Sequence, residues 1–93
     1  MKDWRIDLVE SLRGQKLVYS KYRQPRPEWD HDHCLGCGAT FSELDGPDYL
    51  HEGYTTGPKY SHGSEYEWIC AQCFGDLKQE MGWTVGYAGP KPN

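Results

Sequence analysis

The sequence predicts a small α+β domain built around one bound metal ion, and three observations support that prediction. The chain has 93 residues, a usual length for one domain, so we expect residues 1–93 to fold as a single unit. Apolar residues make up 37% of the chain, below the ~45–50% usual in globular domains, and small domains often need a stabilising metal. Four cysteines stand in two CxxC pairs, among segments with both helix and strand periodicity.

The N-terminal part of the chain has one helix pattern and one strand pattern. Within residues 3–13, Trp4, Leu8 and Leu12 recur four residues apart, which is the spacing of one face of a helix. Residues 16–22 alternate and include aromatic and β-branched side chains, which is typical of a strand. We therefore expect a helix followed by a strand.

Prolines at positions 25 and 27 mark a boundary after this helix and strand, because proline disfavours helix and favours an extended connector. Residues 1–27 are interpreted as a helix–strand extension of a metal-binding core. That core is expected to span residues 28–88. Residues 89–93, which hold one Gly and two Pro, are expected to form a flexible tail.

The second half of the chain predicts a short strand near residues 49–53, a half-buried strand at 65–69 and a helix at 71–81. Gly82 is the expected end of that helix, because glycine readily adopts the left-handed conformation that closes helices. Alternation over residues 83–87 predicts a last short strand. With four Trp, seven Tyr and two Phe in the chain, the core of these elements is expected to be aromatic.

The strongest motif in the sequence is the pair of CxxC units, Cys34 with Cys37 and Cys70 with Cys73, separated by 32 residues. Two such turns can bring four thiolates around one ion in a tetrahedron, the geometry of structural zinc sites. Four protein ligands leave no position for water or substrate, so the predicted cofactor is one structural Zn²⁺ per chain. Alternatives for the cysteines are disulfides, a thioredoxin-type redox pair and rubredoxin-like iron.

The two cysteine pairs have different surroundings. The first lies in the Gly-rich segment HCLGCGATF, and the second lies in WICAQCFGDLKQEM, where a strand passes into a helix. On these motifs residues 33–81 resemble the treble-clef class of zinc fingers, which implies a knuckle, a hairpin and a closing helix. The stretch WDHDHC…LHEGY…WICAQCF also resembles small uncharacterised bacterial proteins with a WDHxHCxxC motif, and this resemblance implies no particular function.

Two histidines, His31 and His33, stand with Asp30 and Asp32 immediately before Cys34. We interpret them as groups that hydrogen-bond the thiolates or lie exposed on the surface, since metal sites use such outer contacts. The alternatives are a second metal, an acid–base pair, or His33 in place of Cys34 as a ligand.

An enzymatic role is the least favoured reading of the sequence. Nucleases of the His-Asn-His type can use a treble clef with two CxxC pairs, and there the Asp-His motif lies between the pairs. Here Asp-His precedes the first pair, Leu50 rather than Asp precedes His51, and Phe74 follows the second pair where a His often stands. We therefore do not expect catalysis.

Net charge is −4, but residues 1–27 hold seven Lys or Arg and only three acidic residues. Within residues 13–26 the basic side chains are interleaved with Tyr19 and Tyr22, and such a mixture of basic and aromatic side chains can bind single-stranded nucleic acid. The acidic remainder of the chain disfavours that function, because phosphate binding requires positive charge. We expect residues 13–26 to pair internally, with nucleic acid or an acidic protein as alternatives, and the candidate contacts are Arg13, Lys16, Tyr19, Lys21, Tyr22, Arg23 and Arg26.

The sequence thus predicts a zinc-stabilised interaction module with a protein partner. Neither a membrane span nor a leader peptide is recognisable, so we expect a cytoplasmic protein that does not bind membranes. The resemblance to small bacterial proteins implies a bacterial origin. Thiols stay reduced in the cytoplasm, which favours metal over disulfides. The predicted partner surface is aromatic and acidic, and its aromatic members are Trp29, Tyr49, Tyr54, Tyr60, Tyr66 and Trp68.

Overall fold

A computed structural model describes residues 3–87, which form a small α+β fold with two sheets. In chain order the elements are α1 (Arg5–Leu8), a 3-10 helix (Glu10–Leu12), β1 (Lys16–Lys21), β2 (His31–His33), β3 (Thr40–Ser42), β4 (Tyr49–Leu50), β5 (Glu52–Thr56), β6 (Trp68–Ile69), α2 (Ala71–Met81) and β7 (Thr84–Tyr87). The tail predicted at residues 89–93 lies outside the described residues.

Strand β1 lies inside the larger sheet, whose order is β6-β5-β1-β7. It pairs antiparallel with β5 and parallel with β7, and Leu17 lies opposite Thr56 on one side and Val85 on the other. Leu17 is fully buried. The smaller sheet has the order β2-β3-β4, in which β2 and β3 form an antiparallel hairpin. The N-terminal segment is therefore part of the main sheet.

The core is aromatic, as the composition predicts. The Trp68 ring centroid lies 5.0 Å from that of Tyr22 and 5.2 Å from that of Phe41. On the other side of the sheet, Phe74 stacks on Tyr54 at 3.8 Å. Large aromatic rings bury much apolar area each, so these contacts contribute substantially to the hydrophobic stabilisation of the domain.

The prediction of one continuous helix over residues 3–13 is wrong. One turn of α-helix ends at Leu8, and a 3-10 helix follows. Ile6, Val9 and Leu12 are the buried side chains, whereas Leu8 is 50% exposed. These three residues are spaced by three, and a 3-10 helix has three residues per turn, so the tighter winding keeps their side chains in line on the side that faces the core.

Two predicted strands differ from the structure. The strand expected near residues 49–53 is two strands, β4 and β5, which belong to different sheets. The strand expected at 65–69 is reduced to β6, because the backbone before it bends around Thr56. The Thr56 hydroxyl accepts a hydrogen bond from the Tyr66 amide at 2.8 Å, and Glu65 has a φ of 56°. Tyr66 consequently remains exposed.

Helix α2 and its end are confirmed at the predicted positions. The helix runs Ala71–Met81, and Gly82 closes it in the left-handed conformation, with φ 68°. Phe74, Leu77 and Met81 form its buried face. The last predicted strand is also present, as β7.

Alanine substitution at two glycines, one within α2 and one at its C-terminal end, should change the free energy of unfolding in opposite directions. Gly82→Ala should lower the free energy of unfolding by about 1 kcal/mol, since a side chain is unfavourable at positive φ. Gly75→Ala, within the helix and with no heavy atom within 4 Å of the added Cβ, should raise it by about 0.5–1 kcal/mol. Urea unfolding of both variants provides the measurement, and an equal effect at the two positions would contradict the assignment of the helix end.

Candidate metal centre

The four cysteines converge in the fold, as their spacing predicts. Their Sγ atoms all lie within 4.8 Å of one another. The Sγ atoms of Cys37 and Cys70 are 3.7 Å apart. A tetrahedral ion with metal–sulfur bonds of about 2.3 Å places its ligand sulfurs roughly 3.8 Å apart. The donor set and the separation therefore fit a single divalent ion.

The first cysteine pair is held by the turn between β2 and β3. The Cys34 amide donates to the Ala39 carbonyl at 2.7 Å, and the Gly38 amide donates to the Cys34 carbonyl at 2.8 Å. Gly38 has φ 82°, a conformation that suits glycine. At Gly36 an added Cβ would lie 3.0 Å from the Cys73 sulfur, so glycine leaves room for the cluster.

The second cysteine pair begins helix α2. Cys70 is the N-cap residue, and its sulfur accepts a hydrogen bond from the Cys73 amide at 3.4 Å. The Cys70 amide in turn donates to the Cys34 sulfur at 3.3 Å. Amides at a helix N-terminus and the helix dipole both favour thiolates there, so the start of the helix stabilises the negative sulfurs.

Protonation of the cysteines depends on their burial. Burial raises the pKa of the Cys73 and Cys70 thiols, which favours their neutral form in the absence of a cation. Burial also acts to raise the pKa of Cys37, but hydrogen bonds from Ala39 and the other cysteines outweigh it, and that pKa is lowered. A divalent ion would supply the positive charge that keeps the buried sulfurs deprotonated.

Arg5 is a contributor to the centre that the sequence analysis missed. Its Nη1 donates to the Cys73 sulfur at 3.4 Å, and its Nη2 lies 2.5 Å from Asp3 and 3.2 Å from Asp76. The hydrogen bond to Asp3, and then that to Cys73, raise the pKa of the guanidinium. Arg5 precedes Cys73 by 68 residues, and the CxxC spacing gives no signal of it. The two carboxylates orient a positive charge toward a thiolate.

Removing this charge should weaken metal binding at the four cysteines without abolishing it. We expect Arg5→Gln to lower zinc affinity about tenfold, because outer hydrogen bonds to metal ligands are worth roughly 10–100-fold in affinity. Competition with a chromophoric zinc chelator measures the change. Arg23→Gln, which removes an exposed arginine elsewhere, is the matched control, and equal affinities for both variants would refute a role for Arg5.

The two histidines before Cys34 lie on one face of β2. His33 Nδ1 is 3.2 Å from the Gly38 carbonyl oxygen, so this side chain contacts the backbone of the turn between β2 and β3 that holds Cys34 and Cys37. His31 Nδ1 pairs with the Asp30 carboxylate at 2.8 Å. Among the described residues, the sulfurs receive hydrogen bonds from the amides of Cys70 and Cys73 and from Arg5, and the Ala39 backbone acts on Cys37.

The basic N-terminal segment is partly engaged inside the protein. Tyr22 is only 2% exposed, and its hydroxyl donates to Asp32 at 2.9 Å. The Tyr19 hydroxyl bonds Glu52. Arg13 pairs with Glu10 at 2.5 Å. The remaining candidate contacts are exposed: Lys16, Lys21, Arg23 and Arg26.

The predicted aromatic surface is present in part. Trp29, Tyr49 and Tyr66 are 42%, 38% and 45% exposed. Tyr54 and Tyr60 are half-buried. Trp68 does not belong to this surface, because it is 1% exposed and packs in the core. The alternation of Trp68 with Glu67 predicted a half-buried strand, but both residues of β6, Trp68 and Ile69, are buried.

Comparisons with protein families, curated proteins and solved structures find no match to this chain. Over residues 3–87, none of the helices combines the length and the apolar character that a membrane crossing needs. The fold and the site together define a small α+β domain with a four-cysteine candidate metal centre.

Proposed function

We propose that this protein is a zinc-stabilised interaction module with a treble-clef core. The convergence of the four cysteine sulfurs is the observation that carries the proposal. The order of elements supports the treble clef: the β2–β3 hairpin presents the first pair, the antiparallel β5–β6 pair follows, and α2 presents the second pair from its first turn. This order matches the arrangement that the cysteine motifs resemble.

The proposed ion is structural zinc. Four cysteine ligands complete a tetrahedron and leave no position for water or substrate, so we propose no enzymatic role for this centre. Three of the four cysteines are buried among core residues such as Phe74 and Trp68, and the ion would join the two halves of the chain. The folding energy of such sites comes largely from metal binding.

Elemental analysis of protein purified without added metal tests this part of the proposal. One zinc per chain is the expected result. Iron as the bound metal would instead indicate a rubredoxin-like redox centre, and a metal-free folded protein would contradict the proposal outright.

The proposed partner is a protein that contacts the exposed aromatic side chains Trp29, Tyr49 and Tyr66. Exposed Tyr and Trp are enriched at protein interfaces, where they contribute a large share of binding energy. Nucleic acid is the less favoured partner, because the Tyr22 ring is buried and Arg13 is paired, and because net charge is −4. A cytoplasmic location remains our expectation.

Two experiments separate these partners. The double variant Tyr49→Ala/Tyr66→Ala should keep its zinc and melting temperature but lose quantitative co-purification of a partner protein, whereas Trp4→Ala, which removes an exposed aromatic outside this surface, should retain it. A mobility shift with single-stranded RNA or DNA at low salt, lost in Lys16→Gln/Lys21→Gln, would favour the nucleic-acid alternative instead.

A further inference from the structure

We propose that His31 and His33 form a second metal site, a two-histidine chelate for a divalent transition-metal ion. The site is separate from the four-cysteine centre, and it does not depend on which ion that centre holds. It lies at a surface cavity of about 350 Å³ that His31 and His33 line together with Asp30, Thr40 and Tyr49.

Strand geometry places the two histidines on one face. Successive side chains of a strand point to opposite sides, so residues i and i+2 share a face. Asp32, between the histidines, points to the other side and accepts the hydrogen bond from the Tyr22 hydroxyl. Both histidines are exposed, and pairing of β2 with β3 fixes the backbone that holds them.

Hydrogen bonds assign the same tautomer to both rings. The Nδ1 of His31 faces a carboxylate oxygen of Asp30 at 2.8 Å, and the Nδ1 of His33 faces the carbonyl oxygen of Gly38 at 3.2 Å. Both partners are acceptors only, so each Nδ1 carries the proton. With Nδ1 as the donor, the nitrogen that can bind a metal is Nε2 in both rings. A His held at Nδ1 by a carboxylate or backbone carbonyl is the usual state of a metal-binding histidine.

The distance between the rings suits a shared ion. The two ring centroids are 4.9 Å apart. With metal–nitrogen bonds of about 2.0–2.1 Å, two imidazoles on one ion have centroids roughly 4.5–5.2 Å apart for bond angles of about 90–110°. The observed separation falls in this range.

Ligand chemistry narrows the choice of ion. Imidazole nitrogen suits Cu²⁺, Ni²⁺ and Zn²⁺, with Cu²⁺ bound most tightly, and it suits Mg²⁺ and Ca²⁺ poorly. Two protein ligands leave the remaining coordination positions open to water or to a group from another molecule. In this respect the site is the opposite of the closed four-cysteine centre.

Calorimetric titration of the zinc-loaded protein with Ni²⁺ tests the site. Wild-type protein should bind one Ni²⁺, and native mass spectrometry should show one zinc and one nickel on the same chain. His31→Ala should weaken Ni²⁺ binding at least tenfold, and His62→Ala, a surface histidine in another loop, should leave it unchanged. Asp30→Asn should weaken it about tenfold, because the ligand loses its charged partner.

His31→Ala and Asp30→Asn are the deciding variants, because His33 also contacts the Gly38 carbonyl in the turn that holds Cys34 and Cys37. Equal Ni²⁺ affinity in the wild type, His31→Ala and Asp30→Asn would overturn the proposal. So would Ni²⁺ binding accompanied by release of zinc, since the ion would then occupy the cysteine centre.

Discussion

Cys73→Ala should leave the protein unfolded at room temperature. Cys73 is fully buried among the other cysteines, and its sulfur accepts the Arg5 hydrogen bond. Loss of one ligand weakens an interaction worth about 10–16 kcal/mol in structural zinc sites. A small domain has a total stability of only about 5–15 kcal/mol, so the remaining contacts should not suffice.

Far-UV circular dichroism and zinc content measure this outcome together. The variant should show no cooperative melting transition and less than one zinc per chain. Gln79→Ala, on the exposed side of the same helix, is the control and should melt as the wild type does. A folded, metal-free Cys73→Ala protein would show that the cysteine cluster is not needed for the fold.

Trp68→Ala should destabilise the domain by about 3–5 kcal/mol, the range for large buried aromatic residues. Trp68 is 1% exposed and contacts the rings of Tyr22 and Phe41. Its carbonyl also accepts a hydrogen bond from the Leu35 amide at 2.9 Å, which joins β6 to the turn that holds Cys34 and Cys37. The variant therefore opens a cavity beside the metal centre.

Urea unfolding of zinc-loaded protein measures this effect. Trp29→Ala removes the same side chain from a position that is 42% exposed, and it should change stability by less than about 1 kcal/mol. Similar losses in both variants would mean that Trp68 is not the centre of the core.

The features that could be predicted from sequence are those with local signals. Cys70 and Cys73 lie together at the start of α2, as their CxxC spacing predicts. The helix is closed by Gly82, as the preference of glycine for the left-handed conformation predicts. Convergence with the first cysteine pair followed from chemistry, because two CxxC pairs whose thiols are expected to stay reduced have few uses besides metal binding.

The features that were missed depend on contacts between distant segments. Arg5 precedes Cys73 by 68 residues, and only the fold brings its guanidinium to the Cys73 sulfur, so no local pattern records the contact. The break after Leu8 arises because the core needs Ile6, Val9 and Leu12 together. Likewise Tyr66 is drawn away from β6 by the Thr56 hydroxyl, a contact between two parts of the chain that only the fold brings together.

Chelation followed by circular dichroism tests the central claim most directly, namely that one ion on the four cysteines stabilises this fold. Protein with a measured zinc content would be melted before and after treatment with excess chelator, and again after zinc is restored. We predict loss of the cooperative transition on removal of zinc and its return on readdition. An unchanged melting curve in protein shown to be free of metal would contradict the claim.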